Sequence, residues 1–274
     1  MRTDQGYRAG FARADITELE PGRHLWGWGE PEQRVEGVGQ PLFARAVVVE
    51  RGGRCAALAC LDLGAVSWAI RERVLQRLAR APELSLGPHD VMLAATHTHS
   101  APDGISPFLA FHANDGGISE PVIEAAVRGA VEALRLAYAR RERAALVYGE
   151  ARIPRSVPIA FNRSLRAFRA NRDAVDVRRP EDATRRVAPV LAARDERGRV
   201  FGLVQWFGVH ATSLHADHRR LDPDHKGRAA EECEARLRRS ADGRDDVVAI
   251  FAQEACGDVS PNDRWDRRRG WMVG

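Results

Sequence analysis

The segment Val91 to Ser100 is an apolar run that breaks into Thr96-His97-Thr98-His99-Ser100. Residues at i and i+2 of an extended chain point to the same side, so His97 and His99 would bring two imidazoles to one small volume. That is a metal-ligand geometry, although the same spacing also suits two loop histidines bonded to backbone and solvent. Comparable residues recur at comparable places. Asp62 ends the run that starts at Cys55, His210 ends the run from Val200 to Val209, and Asp258 with Ser260 follows the run from Asp246 to Gln253. Singly, each has a plain alternative: Asp62 as a helix cap, His210 as a satisfied buried histidine, Asp258-Val259-Ser260-Pro261 as an Asx-type turn. Four apolar runs ending in such residues point together to a metal-dependent hydrolase. A second group, His215, His218 and His225 with Asp222, is also spaced to collect a metal, or else is solvated loop.

The elements that must position these residues follow from the hydrophobic pattern. Gly10–Thr17 reads as a strand, followed by a Gly- and Trp-rich loop around Trp26 and Trp28 that suits a lid or a packed loop. Phe43–Glu50 and Cys55–Leu63 flank Arg51-Gly52-Gly53-Arg54 as a hairpin. From Ser67 to Arg80, Trp68, Ile70, Val74, Leu75 and Leu78 fall mostly on one helical face, closed by Pro82. Asp90–Thr96 is then the second strand of a βαβ unit, parallel to the first with a right-handed crossover, so Asp62 and His97 should emerge at one sheet edge. A helix spans about Glu120 to Arg140, with Pro121 in its first turn. Ala144–Glu150 is a strand, and Ile153–Arg186, poor in apolar residues, reads as surface loop. Val187–Arg194 pairs with Val200–Val209 as a hairpin, Lys226–Arg239 is helical with Ala230, Cys233 and Leu237 inward, and Asp246–Gln253 is a last buried strand. The tail from Trp265 shows no closing element.

A chain of 274 residues with 44% hydrophobic content is long enough for a real core. The formal charge of +4 is carried almost wholly by arginine, since Lys226 is the only lysine among 42 Lys and Arg. Those arginines sit beside Asp and Glu throughout rather than in a stripe with aromatics, which argues against a nucleic-acid partner. Cys55, Cys60, Cys233 and Cys256 form no C-x-x-C pair and read as reduced core residues. The first residues lack the apolar core of a signal peptide, and no stretch approaches the roughly 18 apolar residues of a membrane span. The chain as given reads as cytoplasmic, or as one whose leader has been removed.

Taken in order, Gly10–Thr17, Arg45-Ala46, Asp62–Ser67, Thr96–Ser100, Asn162-Arg163-Ser164, Trp206–His210 and Gly257–Asn262 resemble the catalytic domain of the neutral/alkaline, non-lysosomal ceramidases over nearly the whole chain. The resemblance implies a zinc amidase of sphingolipid metabolism that cleaves the N-acyl bond of ceramide to sphingosine and a fatty acid. It implies His97 and His210 as zinc ligands and His99 beside the metal-bound water. It also implies Arg163 as the group that binds or polarises substrate, and Ser260 next to the scissile amide. The family's remaining zinc ligands, a glutamate and a tyrosine, come from a later part of its catalytic domain. The chain would then be a fragment. Alternatively Asp62, His99 or Asp258 substitutes, or there is no functional metal centre. His225 stands where the family has asparagine, and Gly227-Arg228-Ala229 replaces its Gly-Tyr-Ala.

The expected fold is α/β, mixed sheets flanked by helices in a layered αββα-type sandwich, with the catalytic residues at the carboxyl ends of strands. Residues 1–274 would form one catalytic domain, incomplete at its C-terminus. The cofactor expected is Zn2+ and the partner a lipid-like N-acyl substrate, with peripheral membrane contact. Trp26, Trp28, Phe108, Leu109 and Phe111 are the candidate walls of its apolar slot. Hydrolysis of another amide or ester, or an inactive fragment, are the alternatives. In chemical terms, neutral His99 would relay a proton, Arg163 would stabilise oxyanion charge, and Ser260 would donate a hydrogen bond rather than attack. The family resemblance suggests a secreted or periplasmic protein.

Overall fold

The computed structural model of the protein describes residues 6–108, 117–262, 264–268 and 271–273. Long runs of β-branched and small apolar residues make eight strands: β1 (Tyr7–Asp15), β3 (Phe43–Arg51), β4 (Arg54–Leu61), β5 (Val91–Ala95), β6 (Glu142–Arg152), β8 (Val187–Arg194), β9 (Val200–Trp206) and β11 (Val248–Ala252). They form one mixed sheet in the order β11-β9-β8-β6-β1-β3-β4-β5. The intervening short strands, β2 (Gly37–Val38), β7 (Phe161–Asn162), β10 (Arg220–Leu221) and β12 (Val259–Ser260), pair in ribbons outside it, β10 with β2 and β12 with β7. The helices are α1 (Trp68–Leu78), α2 (Glu120–Ala139), the short α3 (Leu165–Ala170) and α4 (Asp224–Arg238).

The sheet is bent back on itself at β6. That strand pairs with β1 only over Glu142–Ala144, then with β8 from Ala145 to Arg152. The β1-β3-β4-β5 half therefore faces the β8-β9-β11 half, and alternate residues fill two different cores. Ala44, Ala46, Val48, Ala57, Ala59 and Leu61 point outward to α1 and α2. Phe11, Val47, Leu58 and Cys60 point inward against Phe201, Val204, Val248 and Ile250. On the far side, Ala230, Cys233 and Leu237 of α4 pack on Leu203 and Ala249. The order helix, half-sheet, half-sheet, helix is the expected layering, made from a single sheet. Gly202 permits the closest approach between halves, because a Cβ there would lie 2.2 Å from the Phe11 ring. Phe11 and Phe201 meet edge to face at 5.9 Å.

The hairpin β3–β4 and the parallel neighbours β4 and β5 are as the sequence predicts, and α1 and α2 start at Ser67 and Ser119 side-chain caps. The four cysteines are free. Two expectations change. The segment 153–186 carries β7 and α3 and pairs with β12, so it is a structured wall rather than surface loop alone. The tail also closes in a ribbon, Arg264–Asp266 against Trp271–Val273 (β13 and β14).

Asp62 emerges beside His97 but turns inward between the half-sheets. Its Oδ2 accepts from Arg45 Nη1 at 2.6 Å and from the Phe43 N–H at 2.9 Å, and both side chains are buried. It anchors a buried charge and contributes no ligand. Removing one member of such a pair strands the other charge in the core. Asp62→Ala should therefore lower unfolding free energy by about 3–5 kcal/mol in urea titration, and a loss near zero would contradict the assignment. Phe201→Ala opens a void between the half-sheets and should cost about 3–5 kcal/mol by the same measurement. A smaller cost would mean that the halves are not held by this contact.

Candidate metal centre

Each half of the bent sheet has two parallel strands at its edge, β4 with β5 and β11 with β9, and their carboxyl ends meet at one place. Past β5 the chain turns sharply. The His97 N–H bonds to Leu63 O, and His97 takes φ +67, a left-handed conformation uncommon outside glycine. Thr98 then bridges in parallel to Ala211, and the His99 N–H bonds to Ala211 O. Past β9, the His210 N–H bonds to Val259 O of β12. His97 and His99 thus come from one half and His210 from the other.

Ligand atoms of His97, His99 and His210 all lie within 4.8 Å of one another, and among the described residues this is the one such group of three that could hold a metal. The tautomers of two of them are fixed by their partners. His97 Nδ1 lies 2.7 Å from Gly64 O and His210 Nδ1 lies 3.1 Å from Cys256 O. A carbonyl oxygen can only accept, so each Nδ1 carries the hydrogen and each Nε2 carries a lone pair. Those two Nε2 atoms face each other at 3.1 Å. Two lone pairs directed at one point repel unless a cation joins them, and a backbone carbonyl on the remote nitrogen is the usual support of a metal-bound histidine. The donor set therefore fits a divalent metal of the zinc type.

His99 differs. Neither of its ring nitrogens has a hydrogen-bond partner among the described residues. It is held by packing instead: Trp26 at 5.1 Å, Trp28 at 5.5 Å, and Gly27 at φ +97, where a Cβ would come within 2.6 Å of the ring. The sequence-stated tryptophan loop is thus a wall around the histidines, since Trp26 also meets His97 at 4.9 Å. Phe108 is exposed, and Leu109 and Phe111 lie outside the described residues. Burial, the nearby His210 and His97 imidazoles and the Arg163 charge together push His99 down to about 3, with Asp224 opposing them. Burial also lowers His97 and His210, and Arg163 adds to both shifts. All three rings are therefore kept neutral, the state that binds metal.

Arg163, delivered by β7, donates from Nε and Nη2 to Gly257 O, and its backbone N–H bonds to Asp258 O. Asp258 is engaged by Asn162 Nδ2 at 2.7 Å, so its carboxylate anchors the 161–164 segment. Ser260 is buried on β12 next to Val259, and its Oγ accepts from the Asn262 N–H at 3.2 Å. The second histidine group does not converge. His215 packs on Trp28 at 4.4 Å, and His225 Nδ1 sits 3.2 Å from Asp224 Oδ1 and 3.4 Å from Ser213 Oγ. Both contacts use one nitrogen, which excludes a Ser–His–Asp relay through that ring.

Two residues near the site carry no signal in the sequence reading. Lys226, at the start of α4, is buried and donates to Phe207 O and Ala252 O, and burial lowers it to about 8. It ties the ends of β9 and β11 together. Gln253, directly after β11, is the other.

The family model described as neutral/alkaline non-lysosomal ceramidase, N-terminal, matches residues 7–267. The neutral ceramidase of Pseudomonas aeruginosa is 34% identical over 261 residues, covering 94% of this chain and 38% of the relative. That of Mycobacterium tuberculosis is 32% identical, covering 91% of this chain and 39% of the relative. The chain thus spans about two fifths of the length of these curated relatives. The crystal structure of the Pseudomonas aeruginosa neutral ceramidase superposes with a TM-score of 0.86 at 32% identity, over 97% of this chain and 41% of that one. A ceramidase complexed with C2 superposes with a TM-score of 0.87 at 33% identity, over 94% of this chain and 39% of that one. The chain belongs to the neutral/alkaline non-lysosomal ceramidase family, in the region that the family's N-terminal model describes.

Proposed function

We propose that this chain carries the metal-binding half of a zinc-dependent amide hydrolase, acting on the N-acyl bond of ceramide or a close lipid-like relative. The observation that carries the reading is the pair of imidazole lone pairs, His97 Nε2 and His210 Nε2, 3.1 Å apart with both remote nitrogens committed to carbonyls. The names of the relatives support the substrate class.

The site residues divide by their partners. His97 and His210, each with a carbonyl behind it, hold the metal. A zinc ion held there would supply Lewis-acid polarisation of the acyl carbonyl and acidify water for attack. His99 stands inside the same 4.8 Å cluster without a carbonyl behind it. Kept neutral by burial, it offers one N–H and one lone pair, and so can hydrogen-bond the attacking water and hand a proton on to the departing amine without itself resting in the charged state. Arg163 is fixed by Gly257 O, and its charge is felt by all three imidazoles, which suits it to stabilise a developing oxyanion. Ser260 Oγ uses its lone pair on the Asn262 N–H and keeps its hydrogen. It therefore serves as a hydrogen-bond donor to the tetrahedral carbon's oxygen. Trp26 and Trp28 exclude water from the histidine side.

Metal content and hydrolysis separate these roles. The parent chain should bind zinc, and His97→Ala and His210→Ala should each abolish binding, measured by metal analysis after dialysis. His99→Ala should keep the metal and lose about 100-fold or more of fatty-acid release from a fluorescent ceramide. Zinc retained by both His97→Ala and His210→Ala would refute the centre, and a metal-loaded parent without hydrolysis would refute the amidase reading for this chain. Acid should act on the metal-free fold through the same rings. A histidine whose folded pKa lies below its unfolded value of 6.5 binds fewer protons when folded, so stability is complete above 6.5 and falls as pH drops toward about 3. His99→Gln should flatten that acid limb in denaturation curves taken at several pH values. An identical pH slope in parent and variant would contradict the buried neutral ring.

A further inference from the structure

The metal-binding reading leaves one question, on which the following inference rests: what keeps two ligands from opposite half-sheets at a fixed separation. Three bonds from a single side chain answer it. Gln253 Nε2 donates to Thr96 O at 2.9 Å and to Val209 O at 2.6 Å, while its Oε1 accepts the Val209 N–H at 3.3 Å. Both carbonyls can only accept, so the amide's orientation is fixed by its partners. Thr96 O belongs to the peptide unit that enters His97, and Val209 O to the unit that enters His210. The nitrogen of each unit is tied as well, His97 N–H to Leu63 O and His210 N–H to Val259 O. Each ligand therefore leaves a peptide plane held from both sides, and the same amide holds the carbonyl face of both.

We infer that Gln253 is a positioning residue, a clasp that sets the spacing of His97 and His210 by binding the peptide unit in front of each. The role needs two hydrogens on one nitrogen, one for each half-sheet, and the reach of a glutamine from the end of β11. Glutamate has the reach without the donors, and asparagine has the donors without the reach. The clasp also opposes relaxation of His97 from its left-handed conformation, because the Thr96 carbonyl must rotate if φ at His97 changes.

The test uses the whole chain. Gln253→Glu and Gln253→Leu are compared with the parent and with Phe201→Leu, which loosens the core between the half-sheets without touching the clasp. In metal-free protein, hydrogen exchange at the His97 and His210 amides should quicken about 10-fold or more in both Gln253 variants. Phe201→Leu should not single out these two amides. With zinc, chelator competition should show affinity weakened about 10- to 100-fold, and the cobalt-substituted spectrum should change. Exchange at both amides equal to the parent would overturn the clasp, as would a Phe201→Leu effect of the same size at the same two positions. Should the parent bind no zinc, the metal reading fails while exchange still decides the clasp. Should Gln253→Leu fail to fold, Gln253→Glu, with the same shape, carries the comparison.

Discussion

Strand β6 shares its edge between two partners, three residues with β1 and eight with β8, and this division governs the molecule. An open sheet of eight strands would place the ends of β5 and β11 at its two far edges, about 35 Å apart at the usual strand spacing. Bending at β6 brings those edges together, so that loops separated by more than a hundred residues supply one cluster of imidazoles. The inward faces of both halves become core, which explains why Phe11 and Phe201 meet and why Gly202 has no room for a side chain.

The bend also sets the electrostatics. At the junction between two apolar layers the three histidines are desolvated and neutral, with Arg163 after β7 and Asp224 and His225 at the start of α4 acting on them electrostatically. Backbone carbonyls, not carboxylates, orient the His97 and His210 rings. A carbonyl fixes a tautomer without adding a full negative charge. The His97 and His210 pair therefore stays uncharged, with both Nε2 lone pairs free for a cation.

Much of this was legible in the sequence because the relevant patterns are local. The apolar runs and the histidine doublet announce themselves within a few residues, and the strand-end position of His97, His99 and His210 follows from them. What failed was direction. Asp62 occupies the same kind of strand end as His97, yet it faces Arg45 across 17 residues and lies in the core. A strand-end carboxylate pattern cannot say which layer it turns toward. Gln253 and Lys226 were invisible for a related reason. Their partners are backbone carbonyls, 157 residues distant in the case of Thr96, and a carbonyl leaves no mark in a sequence. The segment 153–186 was under-read because its strand β7 forms by pairing with β12, about a hundred residues away in sequence.

The left-handed backbone at His97 carries a separate consequence. An L-residue in that conformation costs roughly 1–2 kcal/mol, a cost that glycine escapes. His97, one of the three clustered imidazoles, thus sits where the backbone itself prefers a residue without a side chain. Glycine at this position would relieve the strain and remove the imidazole.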